Sequence, residues 1–193
     1  MKMIAITGAV LTVGLAGALF AHTGATGVVK ERMDGMAAMG KAVKAVAPIM
    51  RGQVEYDAER VRIFAEEVRI HSGEAMTSLF PEGSGGMPSE AKLSVWADWE
   101  DFEELARQLH MLSEGLALAA DNGVMGFAGT GNAGSMMGTG TMMGSGAMMD
   151  GGMMAEIGNI GLEELSEMPA DGVFTMISQT CSACHTKYRA ESN

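Results

Sequence analysis

The segment CSACHTKYR, residues 181–189, holds the only two cysteines in a chain of 193 residues, with a histidine directly behind the second. Three chemistries use a Cys-x-x-Cys pair. A structural zinc site needs four soft or borderline ligands, usually from two such pairs, and there is no second pair. A thioredoxin-type dithiol sits in a βαβ context, whereas the residues around this pair read as helix. Covalent attachment of haem through two thioethers, with the next histidine as axial iron ligand, uses all three residues. Cys181 and Cys184 lie on one helical face, so both sulfurs reach the two vinyl groups of one porphyrin edge, and His185 is placed to bind the iron. A disulfide or a chance pair would leave His185 without a role.

Thioether attachment takes place outside the bacterial cytoplasm, so the haem reading requires export. MKMIAITGAVLTVGLAGALFAHTGA supplies a leader: Lys2 is a minimal basic region, residues 3–21 carry no charge, and small residues follow at Ala16, Ala18 and Ala21. Ala16-Gly17-Ala18 fits the cleavage rule, and cleavage after Ala21 or Ala25 also fits. Residues 1–25 are therefore read as a signal peptide and 26–193 as one exported, periplasmic domain. A retained anchor is the alternative, although a Gly-, Ala- and Thr-rich stretch poor in Leu favours cleavage. No later segment is apolar enough to span a membrane.

The chain carries 13 basic and 24 acidic residues, a net charge of −11, with neither Lys nor Arg between Arg107 and Lys187. That balance argues against nucleic acid and anionic membrane as partners and favours a basic docking surface on a redox partner protein. No nucleophile, carboxylate pair or phosphate loop stands out, so the chain does not read as an enzyme.

The elements that must hold the motif are helices. From Val29 the apolar or small residues fall at 29, 33, 36, 40, 43, 47 and 50, a seven-residue repeat. A second segment continues it through Val54, Ala58, Val61, Ala65 and Val68, until LFPEGSGGMP breaks the pattern. Ser89 fits an N-cap for a third helix with the stripe Val95, Trp99, Phe102, Leu105, Leu109, Leu112, Leu116 and Ala119, closed by DNG at 121–123. The last helix shows Phe174, Ile177, Cys181, Cys184 and Tyr188. Four amphipathic helices without a convincing strand predict an all-α, antiparallel four-helix bundle whose inward face carries both cysteines.

VVKERMDGMAAMG, LFPEGS, VWADWEDFEELARQLH and CSACHTKYR, in this order, resemble the class II c-type cytochromes: the cytochromes c′ and their low-spin, methionine-ligated branch. The resemblance covers residues 26–120 and 168–190. It implies one haem c linked at Cys181 and Cys184, with His185 as proximal ligand and Arg32 near a haem propionate. Relatives usually place a polar residue after that arginine, where this chain has Met33. Arg189 matches a basic residue close to the proximal histidine. Met36 occupies the position covering the distal face of the haem, where methionine is the sixth ligand in the low-spin branch and packing in some five-coordinate members. Met33 and Met39 are weaker candidates one turn away. Homodimers through the first two helices are common among relatives. His110 reads as a partly buried helix residue, His71 as the exit of the second helix, His22 as part of the leader, and Trp96 and Trp99 as bundle packing.

One segment departs from the family. Residues 123–157 form a Gly/Met-rich tract holding nine of the 20 methionines, including Met136–Met137, Met142–Met143 and Met148–Met149 at six-residue spacing. So much glycine does not hold a helix. Thioethers select Cu(I), which gives a metal-handling reading beside that of a neutral repeat expansion. Three functions are therefore expected to compete: an electron carrier with His185 and Met36 as axial ligands, a five-coordinate NO or CO binder, and a Cu(I) handler.

Overall fold

The computed structural model describes residues 24–125 and 160–190. Four long helices carry the fold: α1 (Gly27–Met50), α2 (Ala58–Ile70), α5 (Trp99–Ala119) and α7 (Ala170–Tyr188). Three short ones punctuate it: α3 (Glu74–Thr77), α4 (Ser94–Ala97) and α6 (Leu162–Glu167). The long helices form the antiparallel four-helix bundle expected from the apolar periodicity, and the described residues include no strand, only an isolated bridge between Ala91 and Arg189. The leader and most of the Gly/Met tract lie outside the described residues.

α5 is the central element, packed along α2 on one side and α7 on the other, while α1 lies on α2. Its inward stripe is Phe102, Leu109, Leu112, Leu116 and Ala119, all buried, with Leu105 and Trp99 half-buried at its margin. On α2, Val61, Phe64, Ala65 and Val68 are buried, and Asp57 caps the first turn by accepting from the backbone N–H groups of Glu59 and Arg60 at 3.1 and 3.2 Å. Val54 lies before that helix and is exposed, so the α2 repeat begins only at Ala58.

Two expectations about helix faces and ends change. The repeat through 29, 33, 36 and 40 does not enter the bundle core; on α1 the deeply buried residues are Arg32, Gly35, Met39, Val46, Ala47, Ile49 and Met50. Met39 thus packs in the core. Ser89 is not an N-cap, because the third long helix begins ten residues later at Trp99; its hydroxyl bonds elsewhere, as described below.

α6 returns the chain to the bundle and seats the fully buried Leu165 against α5. Gly115 makes that contact: a Cβ there would stand 2.6 Å from the Leu165 Cβ. Gly123, at φ +71°, lies just after the 3₁₀ turn that extends α5, where a left-handed residue stops a helix. Truncating the fully buried Leu112 to alanine should cost about 2–5 kcal/mol in urea unfolding. Glu103→Ala on the exposed face should stay within about 0.5 kcal/mol; equal losses would contradict the α5 packing register.

Candidate functional site

α1 and α7 face each other across a cavity of ≈ 560 Å³, within the roughly 300–1,000 Å³ usual for ligand and cofactor sites. Met33, Met36, Ala37 and Gly40 line it from α1, and Cys184, His185 and Tyr188 from α7, with Arg189 directly after. This is where Met33, Met36 and Gly40 of the α1 repeat point: they cover a pocket, which is why they are only half-buried or exposed. Phe80, Val95 and Phe102 close the floor. Cys181 is half-buried one turn before Cys184, packed against the core. Met39 faces away from the cavity.

The segment 79–94 builds the remaining wall and ties both helices to it. From α1, the buried Arg32 guanidinium donates through Nη1 to the Leu79 carbonyl (3.1 Å) and Ser84 Oγ (2.8 Å). Through Nη2 it donates to the Ser84 carbonyl and to Ser89 Oγ (2.6 Å), and it lies 4.6 Å from the Phe80 ring centroid. Every one of these partners is neutral, and among the described residues no carboxylate pairs with Arg32. Burial pulls its pKa below the ordinary arginine value.

From the other side, the same segment satisfies the end of α7. The last four carbonyls of a helix have no intrahelical partner. Here the carbonyl of His185 accepts from the Arg189 N–H (3.0 Å) and that of Thr186 from Lys92 Nζ (3.1 Å). The carbonyls of Lys187 and Tyr188 accept from Ser94 Oγ (2.9 Å) and the Lys92 N–H (2.8 Å). Glu90 adds a 2.6 Å ion pair with Arg189 Nε.

Local electrostatics favour neutral sulfur and nitrogen. Burial raises the Cys181 thiol and pushes Cys184 up to about 12, the latter helped by Cys181 and by the Asp101 charge. Burial also lowers His185, as does the Arg189 charge, while Glu90 opposes both. Beside them Tyr188, only 4% exposed, donates to Asp101 and stacks edge-on with Phe102. Lys187 bonds the same carboxylate at 3.0 Å. The hydrogen bond from Tyr188, then the one from Lys187, hold Asp101 below the usual carboxylate range despite its partial burial.

The other histidines stand apart. His110 Nδ1 lies 3.1 Å from the Arg69 carbonyl, and His71 Nε2 lies 3.1 Å from Glu67 Oε1. Neither lines the cavity. Trp96 braces its rim, its indole N–H donating to the Phe80 carbonyl at 2.9 Å. The sequence reading missed Ser84, Ser89, Glu90 and Phe80, whose roles depend on a loop without periodicity. It placed Tyr188 on the inward stripe without seeing its bond to Asp101.

An apolar cavity in a four-helix bundle, with two neutral thiols on one helix beside a histidine and a buried cation that has no anionic partner among the described residues, fits a covalently held, anion-bearing prosthetic group. The comparisons agree. The chain belongs to the cytochrome c′ family, whose model, described as Cytochrome C', matches residues 27–137. Cytochrome c′ from Pararhodospirillum photometricum is 32% identical over 96 residues, covering 49% of this chain and 75% of the relative. Cytochrome c-556 from Agrobacterium tumefaciens (strain II Chrys) is 32% identical over 83 residues, or 43% of this chain and 66% of that one. Among solved structures, cytochrome c′ from Thermochromatium tepidum superposes with a TM-score of 0.55 at 22% identity, covering 85% of this chain and 95% of that one. A nitric oxide complex of a point mutant of the Alcaligenes xylosoxidans protein gives 0.55 at 20%, covering 86% and 94%. The family carries haem c bound covalently through cysteines, and Cys181 and Cys184 are the only cysteines in this chain.

Tyr188 offers a pH test. Its pKa is pushed up to about 12, first by burial and then by its bond to Asp101. Between the ordinary value of 10 and about 12 the unfolded chain loses this proton while the folded chain keeps it, so stability falls as pH rises through that window. In urea unfolding the wild type should exceed Tyr188→Phe by roughly 1.5–3 kcal/mol at neutral pH. That advantage should shrink as pH rises through the window; a constant gap would contradict the assignment.

Proposed function

We propose that this chain is an exported, periplasmic monohaem cytochrome that passes single electrons, with Cys181 and Cys184 holding the haem and His185 and Met36 as axial ligands. The observation that carries this reading is that Met36 and His185 line one cavity from opposite helices. The haem supplies the Fe(III)/Fe(II) couple; the protein does the rest by placement. Cys181 and Cys184 fix the group along α7, and the depressed pKa of His185 keeps its imidazole neutral, the form that binds metal. Met36 offers a soft thioether, and a methionine/histidine pair raises the reduction potential. Arg32 has four of its five N–H donors fixed by the 79–89 segment, which holds its charge at the cavity for a propionate. A buried charge without a counter-ion is costly, and a propionate would supply that counter-ion. Arg189 stands near the proximal histidine.

The chain's acidity supports a redox partner with a basic docking surface, and the family resemblance supports a homodimer through α1 and α2. Among the described residues no helix is long and apolar enough to cross a membrane. The Cu(I) reading of the Gly/Met tract falls outside the described residues, apart from Met125 at its edge. Equal Cu(I) binding by wild type and by a protein lacking residues 125–154 would remove it.

A five-coordinate gas binder is the second reading. It is favoured by solved relatives described as nitric oxide complexes and as a carbon monoxide-bound variant. The spectrum of the reduced protein with and without CO separates the two: a CO-inert ferrous form supports the carrier, and ready CO binding supports the gas binder. Met36→Ala should lower the potential and raise CO affinity, and Met36→Leu should end ligation while opening the site less. An unchanged spectrum and potential in Met36→Leu would make Met36 packing alone and favour gas binding, unless Met33, which also lines the cavity, or Met39 proved to be the ligand.

Covalent attachment has its own check. A Cys181→Ala/Cys184→Ala protein should lose its haem on denaturing extraction, and haem retained there would overturn the linkage.

A further inference from the structure

Arg189 is a mobile kind of side chain in a place that leaves it little freedom. Its backbone bridges Ala91, and the Ala190 N–H donates to the Glu90 carbonyl at 2.7 Å. The two chain segments are therefore already side by side before their side chains meet. Glu90 Oε2 then takes the Arg189 Nε–H at 2.6 Å. Exposed ion pairs usually contribute little, because two long side chains must be ordered in high dielectric. Here the backbone contact has done much of that ordering, and both side chains line the cavity with His185.

We propose that Glu90 is a positioning residue for the histidine side of the iron site: its carboxylate holds the Arg189 guanidinium beside His185 and offsets the charge that this cation places there. The proposal rests on the reading of His185 as the proximal ligand. A cation near iron favours the ferrous state and an anion the ferric state, by Coulomb interaction. Paired, the two charges largely cancel; released, Arg189 would act alone and from a less defined position.

The test is the midpoint potential of the haem-loaded full chain, measured by spectroelectrochemical titration at one pH and ionic strength. Glu90→Gln should raise the potential and Arg189→Gln should lower it. In the Arg189→Gln background the effect of Glu90→Gln should differ from that in the wild type, because the carboxylate's own charge still acts there but no guanidinium is left for it to hold. Glu90→Asp should return the potential toward wild type, which separates pairing from a general loss of structure. Glu82→Gln, an exposed acid on the same segment but off the cavity, should leave it unchanged. No shift in Glu90→Gln, an equal shift in both backgrounds, or an equal shift from Glu82→Gln would overturn the proposal. Ligation is checked separately through the ferric and ferrous spectra of His185→Ala. Spectra identical to wild type would overturn the ligand assignment, while the Glu90–Arg189 coupling would still be read from the potentials.

Discussion

The cavity is held by one irregular segment, residues 79–94, which satisfies a buried guanidinium on one wall and the carbonyl end of a helix on the other. On α1 it receives four N–H donors from a guanidinium that no carboxylate pairs with among the described residues. On α7 it donates to three of the four carbonyls that the helix end leaves open. Leaving the buried guanidinium of Arg32 unpaired would cost more than the roughly 1–3 kcal/mol of a neutral buried group, because it carries a charge. The segment therefore resists displacement. Without it, α1 and α7 would meet only through sparse direct packing.

This arrangement links stability to chemistry. Arg32 is fixed one turn before Met36, so the bonds that bury the arginine also set the rotation of α1 and aim residues 33, 36, 37 and 40 at the cavity. Tyr188, one turn after Cys184, is locked by Asp101 and Phe102, so the opposite wall is held from α5. A helix bundle packed only through leucines could slide by a residue at low cost. Here a slide would break charged hydrogen bonds at both ends of the cavity.

The sequence carried the bundle well, because burial on α5 follows a stripe of steps of three and four that leucine spacing reveals directly. It carried the cysteines and His185 for a different reason: few other chemistries use those types at that spacing. It misled on α1, where one periodic stripe serves two environments. The positions 29, 33, 36 and 40 keep the apolar pattern of a core yet face or flank a pocket, while the core takes Met39, Val46 and Ile49. Periodicity reports that a face is sheltered, not what shelters it. Ser89 failed as a cap because a serine after a proline fits both a helix start and a loop hydroxyl. Only the third dimension brings Arg32 to it across 57 residues.

The same kind of pinning holds the described flanks of the Gly/Met tract. Its flanks are closed on each other: the Ala170 N–H donates to the Gly123 carbonyl at 2.8 Å, and the Met125 N–H to Asp171 Oδ1 at 3.1 Å. Asn122 Nδ2 bonds the Ser166 and Met168 carbonyls. Along α7, Ala170 lies 14 residues from Cys184, about 21 Å at 1.5 Å per residue. The chain therefore departs and returns at the end of the bundle remote from the cavity.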